Sequence, residues 1–261
     1  NYMSFDKLGL NDPILKALKQ KGYKEPSPIQ AKAIPAILDR RDVMAAAQTG
    51  TGKTASFILP ILHMLSNPKH QFKGNTLRAL VVTPTRELAA QVRESAVTYG
   101  RNLNLKSTAI YGGTSVRNQK KVLRRGIDIL VATPGRLLDL YNQKSIDFSK
   151  IEILVLDEAD QMLDMGFIND IKKIIRLLPD RRQNLMFTAT FSDPFRALAN
   201  KFSYKPIEIS VTKDNETAKN IEHYIHPVET SRKSELLVHL IKKEKWKQAL
   251  VFTRTKHGAN R

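Results

Sequence analysis

Seven short runs of apolar residues, separated by segments with helical periodicity, constrain the fold of this chain more than any other feature of its sequence. Runs of this kind are typical of strands that are buried on both faces of a sheet. Their alternation with helices predicts an α/β fold, in which a mainly parallel, doubly wound sheet carries helices on both faces. The predicted strands are 43–46, 79–83, 107–111, 128–132, 152–156, 184–188 and 207–211, and the predicted helices include 86–99, 116–124 and 167–177.

The loop at residues 47–54 joins the first predicted strand to a helix and has the composition of a phosphate-binding loop. Its backbone N–H groups, at a helix N-terminus, are placed to bind an anion. Lys53 adds a positive charge for the β/γ-phosphates of a nucleotide, and the hydroxyl of Thr54 is a ligand for Mg²⁺. Ala47 stands where the usual spacing has glycine. The predicted nucleotide-binding residues of the loop are Gln48, Thr49, Gly50, Thr51, Gly52, Lys53 and Thr54.

The charge balance favours a polyanionic partner such as nucleic acid, because 43 Lys and Arg stand against 25 Asp and Glu, a formal net charge of +18. The absence of cysteine excludes disulfides and thiolate metal sites and agrees with a cytosolic protein without establishing one. We expect neither a membrane span nor a signal peptide, because no apolar stretch is long enough and the first residues lack the pattern. His63 lies in an apolar helix pattern, where packing is the better explanation than metal binding.

The predicted strand 152–156 delivers an acidic tetrapeptide, Asp157-Glu158-Ala159-Asp160, at its carboxyl end. Ligands of doubly wound sheets bind at that end, where the phosphate loop also lies. Asp157 is expected to hold Mg²⁺, directly or through water, and Glu158 to orient and deprotonate a water in line with the γ-phosphate. Taken alone, the tetrapeptide is equally well explained as a helix start with acids in its first turn. The predicted catalytic residues are therefore Lys53, Asp157 and Glu158.

The order and spacing of these motifs resemble those of the DEAD-box ATP-dependent RNA helicases of superfamily 2, over nearly the whole chain. Residues 47–54 and 157–160 resemble the family's motifs I and II, and residues 251–255 resemble motif IV. The last residues, 256–261, are most similar to the bacterial RhlE-type branch. The resemblance implies a RecA-like P-loop domain, ATP and Mg²⁺ as cofactors, RNA as the partner and a cytoplasmic location.

Residues 22–30, Gly-Tyr-Lys-Glu-Pro-Ser-Pro-Ile-Gln, resemble the family's Q motif, with Phe5 at its upstream aromatic position. Adenine offers both a donor and an acceptor, and the amide of Gln30 can serve both. Tyr23 or Phe5 can supply an aromatic face beside the base. By itself Gln30 is best explained as an ordinary helix residue. The case that it binds a nucleotide rests on Pro26 and Pro28, which favour an extended backbone just before it.

Three further motifs resemble those with which the family contacts RNA: residues 84–89 motif Ia, Gly112-Gly113 the GG motif and residues 133–136 motif Ib. Glycine permits close backbone approach, and the Thr and Arg side chains can contact phosphate or 2′-OH. Binding should therefore be largely sequence-independent and salt-sensitive. Taken alone, the Thr-Pro-Gly segment is better explained as a tight turn and Arg136 as a solvated helix charge. The predicted RNA-binding residues are Pro84, Thr85, Arg86, Gly112, Gly113, Thr133, Gly135 and Arg136.

Thr188-Ala189-Thr190 stands where the family usually has Ser-Ala-Thr. The resemblance implies that the first hydroxyl bonds Asp160 and couples the two domains of the helicase. Thr keeps that hydroxyl and its β-branched side chain suits a strand, so we expect the link to be retained. The predicted coupling residues are Asp160, Thr188 and Thr190.

The domain organisation is expected to be an ATP-binding domain at 1–211, a polar linker at 212–220 and the truncated start of a second RecA-like domain at 221–261. The last segment reads as one βαβ unit, with strands at 221–228 and 249–253 and a helix at 231–245. The family's second-domain arginines are absent from it, so the chain is expected to bind nucleotide but turn it over poorly. The alternative function is an ATP-gated RNA clamp or scaffold. A DNA helicase is disfavoured by the Q-motif segment, and a GTPase by the lack of an Asn-Lys-x-Asp segment.

Overall fold

A computed structural model of the chain describes residues 4–48, 50–67, 76–211, 222, 224–253 and 255. The predicted linker 212–220 and the phosphate-loop residue Thr49 lie outside the described residues, as do residues 256–261. The chain divides into two compact units, Asn1–Asp214 and Asn215–Arg261.

The first unit is built on one sheet of seven parallel strands, which confirms the predicted fold class. Its strand order is β3-β4-β2-β5-β6-β1-β7. The strands agree with the predicted runs to within one residue at each end, because polar and turn-forming residues bound each apolar run. They are β1 Val43–Ala46, β2 Ala79–Val82, β3 Ser107–Ile110, β4 Ile129–Ala132, β5 Ile153–Leu156, β6 Gln183–Thr188 and β7 Ile207–Ser210.

Helices cover both faces of this sheet, because successive strand residues point to opposite sides. On one face, residues such as Ala45, Val81 and Phe187 pack against α1, α2, α3 and α4. On the other face, Leu80 and Met186 belong to a second core with α6, α7, α8 and α9. The helices are α1 Asp12–Gln20, α2 Pro28–Leu38, α3 Lys53–Leu65, α4 Arg86–Tyr99, α5 Val116–Arg124, α6 Pro134–Asn142, α7 Ala159–Asp164, α8 Ile168–Leu177 and α9 Asp193–Phe202.

A buried carboxylate fixes the register of the strands at the amino edge of the sheet. The Asp42 side chain accepts hydrogen bonds from the backbone N–H groups of Asn184 (2.8 Å) and Tyr204 (2.7 Å) and from the side-chain amide of Asn184 (3.1 Å). These bonds connect β1, β6 and the segment before β7.

In the second unit, the structure describes a short 3₁₀ turn, Thr230–Arg232, and the helix α10, Lys233–Lys243. The helix lies within the predicted span 231–245. The two strands predicted to flank it are wrong for the described residues, which are not in strand conformation between 222 and 253. Leu250 and Phe252 are 81% and 87% exposed there. A strand needs a hydrogen-bonding neighbour, which the apolar pattern of a segment does not itself provide.

None of the helices in the described part of the chain is long and apolar enough to cross a membrane.

Candidate functional site

The carboxyl ends of the parallel strands lie along one side of the sheet, which we call its carboxyl edge. The strand order sorts the predicted motifs into two neighbouring groups along it. The phosphate loop follows β1, the acidic tetrapeptide follows β5, and Thr188 ends β6, and these strands are adjacent. The Thr-rich and Gly-rich motifs follow β2, β3 and β4, which form the neighbouring group. We call the first group the nucleotide side and the second the RNA side, after the ligands predicted for them.

The phosphate loop turns into α3 through glycines in left-handed conformation. Gly50 and Gly52 have φ values of +84° and +92°, which favour glycine. Lys53 is the first residue of α3, and Gly52 at the N-cap offers no side chain to satisfy the helix's free N–H groups. Those N–H groups are suited to bind a phosphate. The loop begins at Ala47, whose N–H donates to Thr188 O across to β6 (3.1 Å).

Gly52 is also the point at which the segment resembling the Q motif meets the loop. A Cβ at Gly52 would clash with Gln30 Nε2, and the φ of +92° there also favours glycine. Gln30 Nε2 donates to Gly52 O (3.2 Å), while Gln30 Oε1 accepts from the backbone N–H of Ser27 (2.9 Å). Gln30 is 4% exposed. Its amide therefore ties the start of α2 to the phosphate loop, a structural role that sequence reasoning did not foresee.

The two predicted aromatic residues differ in their surroundings. Phe5 is 5% exposed and belongs to the core beneath α2. Tyr23 is 47% exposed, and its ring centroid lies 6.2 Å from that of Tyr99. The two tyrosine hydroxyls are 3.4 Å apart. Tyr23 is therefore the more accessible of the two candidates for contact with a base.

A buried ion pair connects the phosphate loop to the acidic tetrapeptide. Lys53 Nζ donates to Glu158 Oε1 at 2.8 Å, with the side chains 5% and 12% exposed. The neighbouring Asp157 is 3% exposed. Burial raises the pKa of the Asp157 carboxyl to about 7, while the charge of Lys53 lowers it and that of Glu158 raises it. The pocket thus holds more carboxylates than cations, which favours binding of a further cation.

The backbone at Glu158 is left-handed, with φ 53° and ψ 49°, between the end of β5 and the start of α7. For a residue other than glycine this conformation costs about 1–2 kcal/mol. The bend lets the Glu158 side chain reach Lys53, and the Glu158 N–H donates to Asp157 Oδ1 (3.1 Å). Strained backbone of this kind is concentrated at functional sites, which agrees with the catalytic role predicted for Glu158.

The predicted bond between the Thr188 hydroxyl and Asp160 is wrong in this structure. Thr188 Oγ1 donates instead to Thr190 O (2.9 Å), within its own turn. Asp160 Oδ2 accepts from the backbone N–H of Ala189 (3.1 Å). The connection between the tetrapeptide and the end of β6 is therefore made, but through a backbone donor that residue types do not reveal.

On the RNA side, the loops are anchored by backbone bonds between adjacent strands and by helix caps. Thr83 N donates to Ala132 O (2.9 Å) and Thr133 N to Ile110 O (3.2 Å). Thr85 caps α4, where its hydroxyl accepts from the Leu88 N–H (3.3 Å). These bonds place the three predicted RNA motifs side by side, with Thr133 and Pro134 at the start of α6.

Arg86 and the Gly112-Gly113 loop lie close together although one strand separates β2 from β3. A Cβ at Gly113 would be 3.7 Å from Arg86 Nη1, and the φ of +79° at Gly113 favours glycine. The Arg86 side chain is 64% exposed and donates to Glu87 Oε1 at 2.6 Å. It is therefore accessible to a ligand at this edge.

Arg136 is not the solvated charge on a helix surface that the sequence taken alone favours. Its side chain is 12% exposed, and Nη1 donates to Thr114 O (3.2 Å) and Gln119 Oε1 (2.9 Å). Gln119 Nε2 in turn donates to Tyr111 O (3.0 Å) and Thr114 Oγ1 (2.6 Å). Arg136 and Gln119 thus hold the Gly112-Gly113 loop. Sequence reasoning missed Gln119, since its pattern in α5 does not distinguish it from a surface residue.

Residues 27–198 match the sequence model of the DEAD/DEAH box helicase family. The chain belongs to the DEAD/DEAH box helicase family. It is 42% identical over 257 residues to the DEAD-box ATP-dependent RNA helicase RhpA of Helicobacter pylori strain B128, which covers 98% of this chain and 51% of that protein. It is 40% identical over 252 residues to the ATP-dependent RNA helicase CshA of Listeria monocytogenes, which covers 97% of this chain and 48% of that protein.

Two solved structures share the fold. One is a DEAD box protein from Methanococcus jannaschii, with a TM-score of 0.76 and 37% identity, which covers 99% of this chain and 68% of that one. The other is a hypothetical ATP-dependent RNA helicase from Sulfolobus tokodaii, with a TM-score of 0.70 and 39% identity, which covers 77% and 57%. The predicted RecA-like class of the first unit is thereby confirmed. The chain spans about half the length of the curated relatives it matches.

The family match includes both sides of the carboxyl edge, since residues 27–198 extend from the N-cap of α2 into α9. Within the described residues of this DEAD/DEAH box chain, no group of three or more His, Asp or Glu side chains is arranged to hold a metal. A nucleotide-bound Mg²⁺ does not need such a cage, because it takes one or two carboxylates and completes its shell with phosphate and water. The buried excess of carboxylate at Asp157 fits that requirement.

Proposed function

We propose that this chain binds and hydrolyses ATP with Mg²⁺ as part of an ATP-dependent RNA helicase that remodels or unwinds short RNA duplexes. The observation that carries the proposal is the buried ion pair between Lys53 and Glu158 at the mouth of the phosphate loop, with Asp157 beside it. The relatives RhpA and CshA are ATP-dependent RNA helicases by name, which supports RNA as the substrate class. The basic balance of +18 is consistent with that partner.

Lys53 changes partner when nucleotide binds. Its ammonium donates to Glu158 in the present structure, and the more highly charged β/γ-phosphates compete for it. Glu158 is then free to accept a proton from a water in line with the γ-phosphorus. As the new P–O bond forms, the bond to the bridging oxygen breaks and ADP and phosphate leave. The same ion pair thus keeps the base occupied until the substrate arrives.

Asp157 and Thr54 are the residues that would hold Mg²⁺, with nucleotide oxygens completing its shell. When bound, the ion neutralises charge on the phosphates. The other described residues of the loop, Gln48 and Gly50 to Gly52, would present backbone N–H groups to the same phosphates. Gln30 and Tyr23 lie on the adjoining segment and would contact adenine, with Phe5 supporting that segment from the core.

The RNA side would receive a strand through its exposed backbone, hydroxyls and Arg86. These groups contact phosphate and sugar and read no base edges, so binding is largely independent of sequence. We assign Asp160, Thr188 and Thr190 to coupling between this edge and a second RecA-like domain. In this proposal residues 1–211 are the ATP-binding domain, 212–220 a linker and 221–261 the start of that second domain. A cytoplasmic location and membership of the RhlE-type branch, which rests on residues 256–261, complete the proposal.

The test compares Glu158→Gln with Lys53→Ala in a protein that carries both RecA-like domains, because this chain alone is expected to turn ATP over poorly. We expect Glu158→Gln to bind ATP at least as well as the parent, because it removes the competitor for Lys53, but to lose hydrolysis by about 10²–10⁴-fold in single-turnover measurements. Lys53→Ala should instead lose affinity. The matched control is Glu208→Gln, which changes an exposed carboxylate on β7. This carboxylate pairs with Arg196 of α9. Normal hydrolysis by Glu158→Gln would overturn the assignment of the base.

A further inference from the structure

The outer edge of the sheet on the RNA side lacks acidic residues over an unusually long stretch. Residues 95–127 contain seven Lys and Arg and no Asp or Glu. This stretch comprises the end of α4, the edge strand β3, the Gly112-Gly113 loop and all of α5. Unneutralised charge of one sign destabilises a compact fold through self-repulsion, so a concentration of this kind favours a polyanionic ligand.

Most of this charge lies on α5. Arg117, Lys120, Lys121 and Arg124 are spaced three and four residues apart, which places them along one side of the helix, and Arg125 follows at its C-cap. We call these five residues the α5 basic surface. All but the half-buried Lys120 are exposed, and α5 has no buried residue. The ion pairs formed among the described residues involve none of the five.

The α5 basic surface is continuous with the predicted RNA contacts. The helix begins directly after the Gly112-Gly113 loop, with Ser115 as its N-cap. Gln119, on the first turns of α5, donates to Tyr111 O and accepts from Arg136, the last residue of the neighbouring motif 133–136. The helix and the loop are therefore held together as one rigid piece.

The topology also fixes the direction of this surface. Since β3 and β4 are adjacent and parallel, α5 must return from the carboxyl edge to the amino edge of the sheet between them. From Arg117 to Arg125 the helix covers about 12 Å along its axis. The five cations thus form a track that leaves the RNA side at the Gly112-Gly113 loop and continues down the outer edge of the sheet.

We propose that the α5 basic surface is a second contact for RNA, which binds the phosphate backbone of the part of the strand that extends beyond the carboxyl edge. This rests on the proposed function, in which RNA lies on that edge. The contact lengthens the bound segment without adding sequence preference, because lysine and arginine on phosphate read charge alone. It explains why an exposed helix and its C-cap carry five cations that form no ion pair among the described residues.

The experiment measures RNA binding of the full chain at several salt concentrations, with a short RNA of about six nucleotides and a long RNA of roughly twenty. The test variant is Arg117→Gln/Lys121→Gln/Arg124→Gln. The matched control, Lys172→Gln/Lys173→Gln/Arg176→Gln, removes the same charge from the solvent-facing side of α8, a helix that packs against α6. A charge-keeping variant, Arg117→Lys/Arg124→Lys, tests whether charge alone is read.

The test variant should bind the long RNA roughly tenfold or more weakly at low salt, and its log affinity should depend less steeply on log salt, by about 2 in slope. Its affinity for the short RNA and for ATP should match the parent. The control and charge-keeping variants should bind the long RNA as the parent does.

Two outcomes separate the inference from the function on which it rests. If the parent binds long RNA and the test variant binds it equally, with the same salt slope, the α5 contact is wrong while the RNA function stands, and the surface serves another acidic partner. If the parent binds neither RNA, the proposed function itself fails. An equal loss in the α8 control would mean that only net charge matters, which also overturns the α5 contact.

Discussion

The nucleotide side and the RNA side occupy neighbouring parts of one sheet edge, but they are built in opposite ways. On the nucleotide side, Lys53 and Asp157 are buried, and the Glu158 side chain, 12% exposed, pairs with Lys53 while the Glu158 N–H donates to Asp157. On the RNA side, Arg86 and Glu87 form an ion pair whose side chains are 64% and 62% exposed, next to a glycine loop. The same strand-to-loop geometry therefore produces a buried charged pocket in one place and an open polar surface in the other.

The difference matters because the energy of a charge depends on its surroundings. Inside the pocket the charged side chains are largely shielded from solvent, so one ion pair and one further carboxylate interact strongly and favour a ligand of matching charge. On the open surface each contact is weak and screened by salt, and affinity comes from the number of contacts. A compact triphosphate suits the first arrangement and a long polyanion suits the second.

The largest expected effect that tests this division is that of Lys53→Ala. Loss of its charge-assisted bonds should weaken nucleotide binding by about 3 kcal/mol, or more than a hundredfold, while RNA affinity changes less than about twofold. Titration with a fluorescent nucleotide and with labelled RNA measures both. Lys172→Ala on α8 is the control. A parallel loss of RNA binding would show that the two sides are not separate.

Arg136→Ala should have the complementary effect. Removal of its bonds to Gln119 and Thr114 frees the glycine loop, and RNA affinity should fall about tenfold while nucleotide affinity is unchanged. Arg196→Ala, an exposed paired arginine, is the control.

Gln119→Leu decides how Arg136 acts. If Arg136 positions the loop, Gln119→Leu weakens RNA binding to a similar extent and the double variant loses little more than either single one. If Gln119→Leu binds RNA normally, Arg136 contacts RNA directly and the positioning role is wrong.

Asp160→Ala should have a smaller effect, confined to the connection with the end of β6. Without its acceptor, the Ala189 N–H should exchange with solvent about tenfold faster in hydrogen-exchange measurements. Affinities for nucleotide and RNA should stay within about twofold of the parent in the isolated chain. Asp164→Ala, an exposed carboxylate at the end of α7, should leave exchange at Ala189 as it is; unchanged exchange in Asp160→Ala contradicts the assigned bond.

The smallest effect concerns His63, which belongs to neither side. Burial, and then the charge of Arg40, lower the pKa of His63 below its ordinary 6.5, and its Nδ1 accepts from the Asn11 N–H (3.1 Å). The unfolded chain therefore binds more protons just below pH 6.5. The contribution of His63 to stability is complete above that pH and is lost as the pH falls through the lowered pKa.

Urea unfolding between neutral pH and about pH 5 should show this loss in the parent and a flatter profile in His63→Gln. His239→Gln, an exposed histidine on α10, is the control. Equal profiles for the parent and His63→Gln would contradict the assignment.

The sequence by itself determined the elements of the first unit and the residue types of both sites. Apolar runs such as 43–46 specify strands locally, and a Gly-Lys-Thr turn after a strand restricts what can bind there. The same local pattern was misleading at 249–253, because a strand also requires a neighbour and Leu250 has none among the described residues.

Only the tertiary structure decided which of those residues meet. Lys53 and Glu158 are 105 positions apart, and they pair because β1 and β5 lie on either side of β6. Strand order and crossovers also decide three further features. They are the left-handed bend at Glu158, the donation to Asp160 by the Ala189 N–H in place of the Thr188 hydroxyl, and the bond between Arg136 and Gln119. Local periodicity indicates which face of a segment is buried. Contacts such as these follow from how distant segments pack against one another, and no single segment encodes that packing.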